Sequence, residues 1–204
     1  PDWVAAERVA AHHDLVHHQH LLEADAFEKR LPDLAWHGED ADVTVMFFHP
    51  LFEHMANHVK VGLCGQGADE LHAGYPRYGD LNEHRAILNQ RMAALPDAHQ
   101  RALLGGGLSS EEGWYLDAHA PSDATDDLQT MLNFELEHGQ LSNFQLRLVD
   151  RHSMAHSLEV RVPFLGQAHR TASYALPMDW KRSTQREEKA ALRRAADLTN
   201  LPKD

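Results

Sequence analysis

An α/β fold with a helix-rich C-terminal half is what this sequence predicts, on three observations. Short apolar runs alternate with helical stripes over the first 80 residues, and the apolar run at residues 59–63 feeds straight into a glycine-punctuated acidic turn. Beyond Tyr78 the pattern turns helical and stays so. Pro1-Asp2 opens a helix over residues 3–12, with Val4, Ala5, Val9 and Ala10 as its apolar stripe. A short strand is expected over 15–22, then a helix over 24–34 ending near Pro32, then a helix over 50–58 with Pro50 in its first turn. Val59, Val61 and Leu63 supply a buried strand at 59–63, and the β-α-β alternation implies a parallel sheet covered by helices. Helices follow over 81–95, 98–104, 124–148 and 186–198, separated by loop signals at Gly105-Gly106-Gly107 and at 118–122. The 204 residues make one sizeable domain, with 1–80 its α/β part and 81–204 mainly helical.

Composition excludes several function classes. Apolar content of 43% with 25% charged residues is that of an ordinary globular chain. A formal charge of −12, with no basic stripe interleaved with aromatics, argues against nucleic acid as a partner. No run approaches the roughly 18 apolar residues of a membrane span, and no basic segment leads into a secretory apolar stretch. One cysteine, Cys64, permits no internal disulfide and fits a reducing cytoplasm.

The chemistry concentrates in residues 61–75. Gly65 and Gly67 allow tight backbone and close approach of a ligand, and Asp69 and Glu70 place carboxylates where the strand stops. In open α/β sheets, ligands bind at the carboxyl ends of strands, and carboxylates suit a hard cation that also holds phosphate oxygens. The physical reading is an edge that takes a Mg²⁺-nucleotide. The plainer reading is that Asp69 and Glu70 start the next helix, where its dipole favours negative charge.

CGQGADELHAGY (64–75) resembles the S-G-[DE]-G-x-D-E-[LIV]-F-G-G-Y segment of the asparagine synthetase family, in its synthetase domain. DRHSMAHSLEVRVPFL (150–165) resembles its second signature, D-R-x-S-M-A-x-S-L-E-x-R-x-P-F-L-D. PDWVAAERVAAHH, LVHHQHLL and EKAALRRAADLTNLP extend the likeness over nearly the whole chain. The resemblance implies an ATP-pyrophosphatase domain of the adenine nucleotide alpha-hydrolase type. Its ATP-dependent reaction adenylates a small carboxylate, aspartate in the family, and ammonia from a glutaminase domain or subunit then displaces AMP. By the same resemblance Gln66 and Tyr75 fall at catalytic positions, Cys64 and Gly65 at nucleotide-binding ones, Asp69 at a Mg²⁺ ligand and Thr44 at a substrate contact. A homodimer is left open.

Departures from the pattern carry expectations of their own. The pyrophosphate loop S-G-G-x-D-S occurs nowhere in the 204 residues; the resemblance puts it ahead of Pro1 and a catalytic lysine past Asp204, so an incomplete and inactive domain is expected. Gln66 stands where the family has an acid, and an amide neither takes a proton nor carries charge beside a metal. Cys64 can still offer its backbone to a nucleotide. In DVTVMFFHP (42–50), resembling D-V-T-T-x-R, Thr44 persists while Val45 and Phe47 fall where threonine and arginine belong. Without the guanidinium fork, planar recognition of a carboxylate weakens. A non-catalytic homologue or subunit, acting as a binding module, is the alternative reading.

Tyr75 reads equally well as an aromatic plug in a Gly-Tyr-Pro turn. Glu159 and Arg161 are expected to form a bracing ion pair, Pro163-Phe164-Leu165 to be core, and Lys189 to be solvated. Seventeen histidines suggest a third reading, a metal-binding module, above all at His12, His13, His17, His18 and His20. Zinc needs three or four convergent ligands. No second cluster with ligand spacing is read from the sequence, so structural or surface imidazoles are the simpler account, with His72 beside the acidic turn the one to watch.

Overall fold

The structure, a computed structural model, describes residues 2–21, 23–39, 47–93, 98, 127–182 and 188–202. In chain order the elements are α1 (Asp2–His12), α2 (Ala24–Gly38), α3 (Phe48–Ala56), β1 (Val61–Leu63), α4 (Ala68–His72), α5 (Leu81–Ala93), α6 (Asp127–Glu137), α7 (Leu146–Met154), β2 (Glu159–Arg161), α8 (Gln167–Tyr174), α9 (Met178–Lys181) and α10 (Ala190–Ala196). Turns of 3-10 helix at Pro76–Gly79 and Pro163–Leu165 and a π-helical turn at Leu141–Gln145 complete the order. The result is α/β, helix-rich, with a small parallel sheet. The chain divides into two compact units, the first made of Pro1–Cys64, Gln145–Val162 and Ala191–Asp204, the second of Gly65–Phe144 and Pro163–Ala190.

In the first unit β1 and β2 pair in parallel, with Val61 opposite Glu159, Gly62 opposite Val160 and Leu63 opposite Arg161. The pairing joins the two signature segments, and the Cys64 N–H extends it by donating to the Arg161 carbonyl at 2.8 Å. Helix α7 packs against α3, α2 and β2. Phe48, Phe52, Val149 and Leu158 form the core there, with Phe48 stacked on Phe52 at 5.4 Å.

Several sequence expectations are corrected here. The parallel partner of β1 is β2, and residues 15–21 form neither strand nor helix. Leu15, Val16 and Leu21 all stand exposed, so among the described residues no packed face holds this stretch as a strand. The strand starts at Val61 and is not buried: Val61 is 41% and Leu63 71% exposed, because only the alternate position, Gly62, faces the packed side. Helix α2 runs through Pro32 to Gly38. Buried Leu34 and the Arg151 guanidinium, which donates to the Gly38 carbonyl at 2.7 Å and pairs with Glu39 at 2.9 Å, hold the turn beyond the proline.

In the second unit α4 packs on α6 and α8, around Ala73, Tyr78, Leu128, Met131, Leu132 and Phe134. The single helix expected over 124–148 is broken after Glu137, where the His138 and Gly139 N–H groups both bond to the Phe134 carbonyl and close α6. Helix α5 is described as far as Ala93 and α10 over Ala190–Ala196, while residues 94–95 and 186–187 of the expected helices lie outside the described residues. Pro163 is exposed and Phe164 and Leu165 half-buried, so that turn caps the unit from outside its core. Glu159 and Arg161 do pair, at 2.8 Å, but with both side chains more than half exposed the pair braces little. The helix expected over 98–104, apart from Ala98, and the loops at 105–107 and 118–122 lie outside the described residues. Among the described residues no helix is long and apolar enough to cross a membrane.

Candidate functional site

The chain enters the candidate turn from β1, and its geometry is set by Gly67. Its φ of +90° is open to glycine, and the space a Cβ would take is occupied by the Leu165 side chain. Helix α4 starts at the next residue and carries Asp69 and Glu70 in its first turn. Five residues suffice because Leu71 is buried at 1% exposure and its carbonyl accepts the Ser173 hydroxyl at 2.9 Å. Ala73, left-handed at φ 51°, ends the helix, and the Gly74 N–H returns to the Asp69 carbonyl at 2.9 Å.

The side chain nearest the Asp69 carboxylate was not foreseen. Lys189, expected to be solvated, places its ammonium 2.8 Å from Asp69 Oδ1, with both side chains about three-quarters buried. Gly74 makes room for this pair: a Cβ there would collide with Asp69 Oδ1 and crowd the Lys189 chain. An ion pair across 120 residues leaves no trace in local sequence, which is why periodicity assigned Lys189 to solvent.

The neighbouring Glu70 is fully buried, and neither carboxylate oxygen has a well-formed hydrogen bond. Burial pushes its carboxyl up, helped by the Asp69 and Glu135 charges, while its own backbone and Tyr75 act in the opposite sense. Tyr75 is half-buried against the core of the second unit, with the Arg77 guanidinium 3.8 Å over its ring. That packing is what a turn plug requires. His72, where the family pattern has phenylalanine, is buried and meets His169 Nε2 through its own Nε2 at 2.9 Å. Burial, then the charges of His169, Lys181 and Lys189, lower its pKa to about 4, so the ring is neutral at pH 7.

Beneath α4, Glu135 receives His84 Nε2 at 3.2 Å, Arg77 at 3.4 Å and the Gln140 N–H at 3.0 Å. Burial works to raise its carboxyl, but the His84 hydrogen bond and the Arg77 charge hold it below the usual range. This buried group was missed in the sequence because its members lie in α5, α6 and the 3-10 turn between α4 and α5.

The structure brings Asp69, Glu70 and Tyr75 together in the second unit, with Gln66 half-buried in the turn ahead of them. Gly65 is exposed, with open space where a Cβ would project. Cys64 ends the first unit as a half-exposed free thiol; its N–H is committed to Arg161, so a nucleotide would have to meet its carbonyl or sulfur. Thr44 and Val45 lie outside the described residues, and Phe47 is 44% exposed. The Mg²⁺ expected at Asp69 does not fit the residues as they stand. Mg²⁺ wants an octahedron of water and carboxylate oxygens, whereas Asp69 Oδ1 already carries the Lys189 ammonium and burial raises the carboxyl of Glu70 beside it.

Comparison with known proteins supplies the context. The sequence profile of the asparagine synthase family matches residues 1–204. A probable asparagine synthetase (glutamine-hydrolysing) of Schizosaccharomyces pombe is 30% identical over 142 residues, 67% of this chain and 25% of that protein. The asparagine synthetase (glutamine-hydrolysing) of Gallus gallus is 25% identical over 213 residues, all of this chain and 30% of that protein. Asparagine synthetase (glutamine-hydrolysing) 1 of Saccharomyces cerevisiae is 27% identical over 140 residues, 66% of this chain and 24% of that protein. The chain thus spans less than a third of the length of these relatives.

Proposed function

The chain belongs to the asparagine synthase family, and from that premise we propose that it supplies part of an ATP-dependent, amide-forming ligase of the ATP-pyrophosphatase fold. Such an enzyme adenylates a small carboxylate, aspartate or a relative of it, which ammonia from a glutaminase domain or subunit then attacks. The observation that carries the reading is the segment from β1 through the left-handed Gly67 to Asp69 on α4, an acidic glycine turn at the carboxyl end of a parallel strand. ATP is the nucleotide it would meet. Gly65 lets backbone approach the nucleotide, and Tyr75 and Gln66 border the same turn. Mg²⁺ enters only as the companion of ATP, not through Asp69. The single cysteine supports a cytoplasmic setting.

A second reading, a non-catalytic homologue that binds a partner or completes a site with another chain, is favoured by two observations. Gln66 stands where the family has an acid, and the Lys189 ammonium sits where a metal would meet Asp69. Calorimetric titration with ATP, with and without Mg²⁺, and a pyrophosphate assay with aspartate and ammonia separate the two. We expect no pyrophosphate from the 204-residue chain. Under the ligase reading ATP binds, and Lys189→Met makes that binding Mg²⁺-dependent by at least tenfold. Failure of both proteins to bind ATP leaves the binding-module reading, and steady pyrophosphate release by the wild-type chain would overturn the expected inactivity.

A further inference from the structure

We propose that His18, His54 and His58 form a three-imidazole site for a late first-row divalent metal, with Zn²⁺ its natural occupant. His54 lies in the last turn of α3, and the chain keeps turning beyond it, since the His58 N–H donates to the Met55 carbonyl at 2.9 Å. Four residues apart on a continuing helical turn, the two imidazoles share a face. His18 comes to them from the irregular stretch 15–21, its ring centred 4.3 Å from His58 and 5.7 Å from His54, while His54 and His58 are 5.1 Å apart. One ring nitrogen from each lies within 4.8 Å of the other two. A tetrahedral ion with Zn–N bonds of about 2.0–2.1 Å needs nitrogens roughly 3.4 Å apart. The rings therefore close in by at most about 1.4 Å, within the reach of rotamer adjustment for two exposed imidazoles and one half-buried one.

The donor set selects the metal class. Three imidazoles and no carboxylate suit Zn²⁺, Cu²⁺ or Ni²⁺ and exclude the oxygen-seeking Mg²⁺ and Ca²⁺. Zn²⁺ imposes no d-electron geometry and accepts three protein ligands with water in the fourth position. The site corrects the reading of no second histidine cluster: the His54-His58 spacing is that cluster, and it joins the His12–His20 tract by one member. All three ligands belong to the first unit, so the proposal is independent of the ligase reading. Bound metal would clip the 15–21 stretch to α3, immediately ahead of β1.

The test uses untagged protein stripped with a strong chelator and then given Zn²⁺ in competition with nitrilotriacetate. We expect one Zn²⁺ retained per chain, a loss of at least tenfold in affinity in both His18→Ala and His58→Ala, and no change in His13→Ala. Zn²⁺ should raise the Tm of the wild type by about 5 °C and leave that of His58→Ala unmoved. Co²⁺ in place of Zn²⁺ should give the intense visible absorption of a four-coordinate ion. Retention that survives the His18 and His58 substitutions, or no retention against the competitor, overturns the assignment.

Discussion

In the first unit the buried polar side chains among the described residues are two imidazoles and a serine, His49, His152 and Ser153. The second unit buries Glu70, Glu135 and Lys181 alongside His72, His84 and Ser173. An imidazole can shed its charge near neutral pH, so burial is accommodated by losing a proton. Burial, with the charges of His156, His152, Arg30 and His37, lowers His49 to about 4, and it lowers His152 and His156 as well. A carboxylate under strong cationic influence keeps its charge, so Glu135 in the second unit relies on its partners His84 and Arg77. Both units are therefore sensitive to protons, the second through His72, but the second depends in addition on the charge partners of Glu135.

The largest test of that contrast is Glu135→Ala, which strips the counter-charge from Arg77 and the acceptor from His84. Breaking a buried pair in this way costs about 3–5 kcal/mol, read as a fall in the urea midpoint at pH 7. A loss under 1 kcal/mol would mean that the second unit does not depend on its charge pairs. Acid should strike the first unit harder, since His49, His152 and His156 are all lowered there against His72 in the second. The unfolded chain takes up protons near the ordinary 6.5 and folded His49 only near 4, so stability is full above pH 6.5 and declines as pH falls towards 4. For His49 alone the displacement is worth roughly 3 kcal/mol. Amide exchange at pH 5 should rise in α3 and α7 before α6, and His49→Phe should flatten the dependence; a faster rise in α6 would reverse the comparison.

Lys181 provides the next step down. It is 2% exposed, and burial lowers its pKa to about 8 from the ordinary 10.5. Stability attached to the neutral amine is lost as pH falls from 10.5 to 8, so at pH 7 the full penalty is present, relieved in part by the Tyr174 ring 5.8 Å away. Lys181→Met should stabilise the fold at pH 7 by about 1–3 kcal/mol, with the gain shrinking above pH 10. Destabilisation would show that the ammonium has a partner worth more than its burial costs. The smallest effect belongs to Glu159→Gln: its pair with Arg161 lies in solvent, and the denaturation midpoint should move by no more than about 0.5 kcal/mol.

What the sequence made legible follows the range of the forces involved. The periodicities of α1, α3 and α5 and the turn around Gly67 are local, and they lie where expected. The parallel sheet was legible as a class but not as a pairing, because nothing local in Val61–Leu63 names Glu159–Arg161 as its neighbour. Pro32 misled for a related reason: its intrinsic cost is local, while the contacts of Leu34 and Gly38 that outweigh it come from tertiary packing. At the candidate turn, residue types announced a carboxylate site, but the cation beside Asp69, the imidazole partner of His72 and the Glu135 group all come from distant segments.

Lys189 itself sits at φ +54°, a left-handed backbone that costs a side-chain-bearing residue about 1–2 kcal/mol more than glycine. Glycine or asparagine would hold the same bend more cheaply, so the lysine is kept at the expense of local backbone comfort. The ion pair with Asp69 thus behaves as a latch under slight tension. An anion that drew the ammonium away would leave the peptide to relax as well as the carboxylate to be freed, so opening this corner requires less energy than the length of the salt bridge suggests.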